Sequence, residues 1–86
     1  MLIDLKDLFE RDNVKCPNFL SKEKVMTELF TSEYSFKDGV HYWRYDDDFR
    51  HLELSFDGIT YLYLGFDDDG NEIYRKELSE GESFIT

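Results

Sequence analysis

Residues 34–78 read YSFKDGVHYWRYDDDFRHLELSFDGITYLYLGFDDDGNEIYRKEL. Four turn signals divide this stretch: Asp38-Gly39, Asp46-Asp47-Asp48-Phe49, Asp57-Gly58 and Asp67-Asp68-Asp69-Gly70-Asn71. Asp-Gly suits a two-residue hairpin, because both central residues need φ > 0, which Gly takes freely and Asp tolerates. The runs between the turns are rich in Tyr, Phe, Trp, Leu and Ile and contain no Pro, so they read as strands near 33–37, 40–46, 50–57, 59–66 and 72–78.

Two-residue loops propose a register. A loop at Asp38-Gly39 sets Phe36 against His41 and Tyr34 against Trp43. One at Asp47-Asp48 sets Trp43 against Leu52 and His41 against Leu54, and one at Asp57-Gly58 sets Leu54 against Tyr61 and Leu52 against Tyr63. The last hairpin pairs Asp67 with Glu72, Gly65 with Tyr74 and Tyr63 with Lys76. One face then collects Tyr34, Phe36, His41, Trp43, Tyr45, Leu52, Leu54, Phe56, Ile59, Tyr61, Tyr63, Tyr74 and Leu78. Agreement of four separate turns on one aromatic and aliphatic face argues for an antiparallel meander. The other face begins polar, as a solvated face should, but ends with an apolar patch of Leu62, Leu64, Phe66 and Ile73, joined by Tyr42.

Working outward, Leu2, Leu5, Leu8 and Phe9 recur at helical spacing, with Asp4 as N-cap and Asp12-Asn13 as the stop. Pro17 keeps Cys16 out of helical conformation. Ser21 is placed to cap a second helix over 22–31, with Leu20 and Val25 as a hydrophobic staple and Val25, Met26, Leu29 and Phe30 as its buried stripe. The expectation is an α+β fold: two short N-terminal helices, about 4–31, packed on the aromatic face of a four- to five-stranded meander, about 33–78. A loose tail, 79–86, completes a single domain of 86 residues. Phe84 and Ile85 would return to the Leu62–Phe66 patch if the tail folds back.

No apolar run approaches the roughly 20 residues that span a bilayer, and no basic segment precedes an apolar one at the start, so neither a membrane nor a secretory route is expected. The single cysteine, Cys16, allows no internal disulfide and no thiolate metal cage, which fits a reducing, cytoplasmic compartment.

The net charge of −10 is unevenly placed: residues 1–39 hold six Lys/Arg against eight Asp/Glu, and residues 40–86 hold four against twelve. A negative field over the sheet argues against direct contact with a nucleic-acid backbone and favours a basic protein partner. Alternate hairpin loops share one end of a meander, so Asp46, Asp47, Asp48, Asp67, Asp68, Asp69 and Glu72 should crowd one rim. A hard cation could use such oxygens, but the EF-hand spacing fails: Gly70 at the sixth position puts Gly65 first and Lys76 twelfth. Solvated turns are the better reading, and no metal or cofactor is expected. His41 and His51 fall on different faces, and no Ser or Cys stands at a nucleophile's motif spacing, so no enzyme is expected. Most of the tyrosines lie on the core face, and the second helix offers only Lys22 and Lys24 to DNA, which excludes a base-stacking sheet and a helix-turn-helix reader.

The expectation is therefore a protein-binding antagonist of the immunity-protein or phage anti-defence type. Asp46, Asp47, Asp48, Glu53, Asp67, Asp68, Asp69, Glu72 and Glu77 would replace phosphates before a basic nuclease or toxin surface. The alternative is a non-catalytic structural module that dimerises through Tyr42, Leu62, Leu64, Phe66 and Ile73, its acidity serving only solubility.

Overall fold

The computed structural model describes residues 2–21 and 25–79 and has an α+β architecture with few helices and a five-stranded antiparallel sheet. The chain falls into two compact units, residues 1–31 and 32–86. None of its described helices is long and apolar enough to cross a membrane.

In the first unit a two-residue strand, β1 (Ile3–Asp4), leads into helix α1 (Leu5–Arg11). The Asp4 carboxylate accepts the Lys6 N–H at 3.0 Å, as an N-cap should. Asn13 ends the helix in the left-handed conformation, φ 58°. Its N–H reaches the Glu10 carbonyl at 3.1 Å, and the Val14 N–H reaches that of Phe9 at 2.9 Å, which together close a Schellman stop. Leu5, Leu8 and Phe9 form the buried stripe, whereas Leu2 lies outside the helix and is exposed.

The second helix differs from its prediction. Helix α2 is a single turn at Asn18–Ser21, so Ser21 ends a helix rather than capping one. Met26–Thr27 form strand β2, antiparallel to β1 with Ile3 opposite Thr27, and Leu29–Thr31 make one 3₁₀ turn. Residues 22–24 lie outside the described residues. The physical cause is at the start of α1, whose first amide has no partner within the helix. The Val25 carbonyl accepts the Leu5 N–H at 2.8 Å, which holds 25–27 extended, and β-branched Val25 and Thr27 suit that conformation. Leu29 is buried, while Met26 and Phe30 are exposed. The Arg11 guanidinium donates to the Asp12 carboxylate at 2.7 and 2.9 Å and to the Phe30 carbonyl, tying α1 to the 3₁₀ turn.

Thr27 carries a prediction. Its side-chain hydroxyl is buried with no hydrogen-bond partner among the described residues. Thr27→Val keeps the shape and removes the stranded polar group, so stability should rise by about 1 kcal/mol, or roughly 4–8 °C in Tm. A fall in Tm by calorimetry would show that the hydroxyl is satisfied in solution.

The second unit is the meander: β3 (Glu33–Lys37), β4 (Val40–Asp46), β5 (Arg50–Phe56), β6 (Thr60–Asp67) and β7 (Glu72–Ser79), in that order across the sheet. The first and last hairpins keep the expected register: Tyr34 faces Trp43, Gly65 faces Tyr74 and Tyr63 faces Lys76. The two middle hairpins slip by two residues. Trp43 faces Leu54 rather than Leu52, Leu54 faces Tyr63 rather than Tyr61, and Leu52 faces Gly65. Each of these loops has four residues, because an aspartate side chain at its first position takes amides that a two-residue turn would leave in the ladder. Asp57 Oδ1 accepts Ile59 N–H at 2.9 Å and Thr60 N–H at 2.7 Å, and Asp47 Oδ1 accepts Phe49 and Arg50 N–H, both at 2.8 Å. A bulge at Ile73 of β7, across from Gly65 and Phe66 of β6, brings Glu72 opposite Phe66 rather than Asp67.

A slip of two leaves every side chain on its face. Three rows of cross-strand partners make the core side: Tyr34–Trp43–Leu54–Tyr63–Lys76, Phe36–His41–Phe56–Tyr61–Leu78 and Tyr45–Leu52–Gly65–Tyr74. Trp43, Leu52, Leu54, Phe56, Tyr61, Tyr63 and Leu78 are buried. Phe36 and Tyr74 are exposed because they sit on the two outermost strands, and Ile59 because it falls in the lengthened loop. The row of His41 is aromatic throughout its first strands, and the Tyr34 hydroxyl meets His41 Nδ1 at 2.7 Å. Residues 80–86, with Phe84 and Ile85, lie outside the described residues.

Candidate functional site

The loops at 47–50 and 67–71 lie side by side at one end of the sheet, since Arg50 and Asp67 are direct partners of β5 and β6. Each is built around its first aspartate. Asp47 Oδ1 holds the two amides described above, and its Oδ2 accepts the Tyr45 hydroxyl at 3.0 Å, with Arg50 Nε at 3.9 Å. Asp67 Oδ1 accepts the amides of Asp69 at 3.0 Å and Asn71 at 2.8 Å, and the Asp67 carbonyl accepts the Gly70 N–H at 3.1 Å. The same device recurs at Asp57 at the other end, so Asp47, Asp57 and Asp67 stand ten residues apart in one role.

These bonds set the acidities. Asp47 is held below the ordinary aspartate value of 3.8 chiefly by the Phe49 amide, against slight desolvation, with Arg50 N–H, Tyr45 and the Arg50 charge adding to it. Asp57 is lowered chiefly by the Thr60 and Ile59 amides, and Asp67 chiefly by Asn71. A carboxylate with a depressed folded pKa contributes stability that is present above 3.8 and lost as pH falls through the folded value. Asparagine can keep the turn but cannot titrate. Wild type should therefore melt above a triple Asp47→Asn, Asp57→Asn, Asp67→Asn variant at pH 7, with the gap closing below pH 3.8. A gap that stays constant to low pH, followed by circular dichroism, would contradict this.

The nine predicted acidic contacts divide by their partners. Asp46, Asp48, Asp68, Asp69 and Glu72 are exposed around the two loops, while Asp47 and Asp67 are committed to turn structure. Glu53 and Glu77 sit back on the sheet face, across from Arg44 and Leu62 respectively. Asp46 bonds His51 Nδ1; Glu53 lies 3.4 Å from His51 Nε2 and 3.9 Å from Arg44 Nε. Arg75 bridges Glu72 at 3.3 Å and Glu77 at 3.7 Å. The basic groups Arg44, Arg50, His51 and Arg75 temper the acidic end: Arg44 and His51 meet Glu53 and Asp46 across the β4–β5 ladder, while Arg50 and Arg75 meet carboxylates close by in their own loop or strand. His51 faces Asp46 where the shorter loop would have set it opposite Arg44. Partial burial pushes its pKa down, but hydrogen bonds and charge from Asp46 and Glu53 outweigh this and hold it above the ordinary 6.5. Its contribution is thus present below 6.5 and lost as pH rises through the folded value, the opposite sense to the aspartates.

Among the described residues, Asp67, Asp68 and Asp69 bring carboxylate oxygens within 4.8 Å of one another, but Asp67 Oδ1 is already spent on two amides. The thiol of Cys16 is raised in pKa by burial, then by the charge of Asp4, and meets the Pro17 carbonyl at 3.8 Å, which suits an unreactive cysteine.

The apolar patch is narrower than its composition implies. Leu62, Leu64 and Phe66 form a half-buried stripe one strand wide on β6, flanked by Ser55, Glu53 and His51 on β5 and by Glu77, Arg75 and Glu72 on β7. Tyr42 lies two strands away across Ser55, with Arg44 5.2 Å over its ring, and Ile73 is the extra residue of the bulge, exposed. No family model matches the chain, and neither a curated protein nor a solved structure matches it.

Proposed function

We propose that the chain is a small, non-catalytic, acidic antagonist that binds a basic partner protein in the cytoplasm and covers a surface that would otherwise meet nucleic acid, as immunity proteins and phage anti-defence inhibitors do. The observation that supports this reading is the pairing of two aspartate-rich loops at one end of the sheet. Their outward carboxylates are Asp46, Asp48, Asp68, Asp69 and Glu72. Asp47 and Asp67 hold the loops by hydrogen bonds to their own amides, so little conformational entropy remains to be lost on binding. Clustered negative charge also speeds encounter with a basic surface and makes that encounter sensitive to salt.

The division of labour among the aspartates dictates the test. Asp46→Asn, Asp48→Asn, Asp68→Asn and Asp69→Asn, combined in one variant, remove outward charge and leave both turn-forming carboxylates in place. In pull-downs from host extract, wild type should recover a basic protein at about 50 mM salt and lose most of it at about 500 mM, where the Debye length is several-fold shorter. The variant should recover at least ~10-fold less at low salt, since long-range attraction is the force removed. Equal recovery by both proteins would overturn the electrostatic mechanism.

A further inference from the structure

Asp46 and His51 are the cross-strand pair that brackets the 47–50 loop, so the base of that loop is closed by charge. His51 Nδ1 meets the Asp46 carboxylate, and Nε2 of the same ring lies 3.4 Å from Glu53 Oε2, two residues along the strand. A carboxylate offers only acceptors, and a neutral imidazole has a single N–H. Both contacts can therefore be hydrogen bonds only when the ring carries two protons. The Phe66 ring stands 5.7 Å away on β6, within the distance at which an aromatic ring attracts a cation.

The charges around this trio have other partners. From β4, Arg44 stands across from Glu53, 3.9 Å from its carboxylate, and gives Glu53 a second cation. Arg50, the preceding residue, reaches Asp47. From β6 the ring faces Phe66, and behind Phe66 on β7 lies Glu72, 3.3 Å from Arg75. Asp48 and Asp68 belong to the two adjoining loops. Within the trio Asp46 is the most accessible, its side chain 73% exposed against 31% for His51. One imidazolium against two carboxylates leaves the trio at −1, and a neutral ring leaves it at −2. Burial opposes the proton, but Asp46 and Glu53 outweigh it and hold the ring above 6.5, so the change of charge falls near neutral pH.

We propose that His51 is a proton-operated gate on the acidic end: protonated, it offsets Asp46 and Glu53 and weakens capture of a basic partner, and deprotonated, it strengthens capture. The inference rests on the antagonist reading, whose site it regulates. By linkage, a bound partner expels the proton from His51 in turn.

An octalysine peptide titrated calorimetrically into the full chain tests the gate without the natural partner. Wild type should bind it about 5-fold more tightly at about pH 8 than at about pH 5.5. The midpoint of that profile should coincide with the titration of the His51 ring followed by NMR. His51→Gln should flatten the profile, with His41 still bonded to the Tyr34 hydroxyl on the core side as an internal control. Glu53→Gln should lower both midpoints together, which a merely structural role for His51 would not do. Far-UV circular dichroism checks that each variant is folded at both pH values. Octalysine that fails to bind, a wild-type affinity that is flat in pH, a His51→Gln profile equal to wild type, or midpoints that do not move together would each overturn the gate. Salt-sensitive binding that is flat in pH would do so while leaving the antagonist reading in place. That reading fails separately if the pull-downs recover no basic protein.

Discussion

Trp43→Ala should cost about 3–5 kcal/mol of unfolding free energy, the range for deleting a large aromatic from a packed core. Trp43 is wholly buried, in the row between Tyr34 and Leu54, with the Tyr34 ring at 5.2 Å and the His41 ring at 6.2 Å. A chain of 86 residues has a total stability of about 4–13 kcal/mol, so the loss removes about a quarter of the margin at best and all of it at worst. The neighbours cannot close the gap by a rotamer change alone, because Leu54 and Tyr34 are fixed on strands to either side. Trp43 is the only tryptophan, so the variant has to be followed by far-UV circular dichroism in urea rather than by its emission. A cost below ~1 kcal/mol would mean that the space refills and that the core is far less specific than its burial indicates.

The same row shows how much of the fold could be read in the chain. Alternation sorted its members to one face without regard to pairing partner, because a two-residue slip preserves the face. What alternation could not tell was loop length. Asp38-Gly39 and Asp57-Gly58 are the same dipeptide, yet the first closes a two-residue turn and the second opens a four-residue loop. The difference lies in the Asp57 carboxylate, which captures the amides of Ile59 and Thr60. A dipeptide rule contains no information about that competition between side chain and ladder.

Residues 25–27 failed to follow their helical period for a related reason. The Val25 carbonyl is claimed by the Leu5 amide, a partner twenty positions away that no local window reports. At the acidic end, the grouping of the two loops was legible from meander topology. The split between turn-forming Asp47 and Asp67 and outward Asp48, Asp68 and Asp69 was not, since it depends on backbone amides rather than on residue type.

Gly65 links the core to that end, and Gly65→Val is the second large effect expected. Gly65 stands in β6 between Leu52 and Tyr74, across from the bulge at Ile73 that follows the 67–71 loop. A methyl group placed on it would lie 3.2 Å from Tyr74 Cβ and 3.4 Å from Leu52 Cδ2. Alanine asks for a few tenths of an ångström and is partly offset by a less flexible unfolded chain, so Gly65→Ala should stay within about 1 kcal/mol of wild type. Valine adds two further methyl groups where there is already contact. The obstacle at Tyr74 is the root of the side chain, so relief requires β7 to move, at a cost of about 1–3 kcal/mol. Movement of β7 carries Asn71 and Glu72 with it and should loosen the amides of Asp69 and Asn71 that Asp67 holds. Hydrogen exchange at those two amides should therefore accelerate in Gly65→Val and not in Gly65→Ala. If valine is tolerated as well as alanine, with exchange unchanged, the strands beside Gly65 are not in close contact, and the acidic loop is held by Asp67 alone.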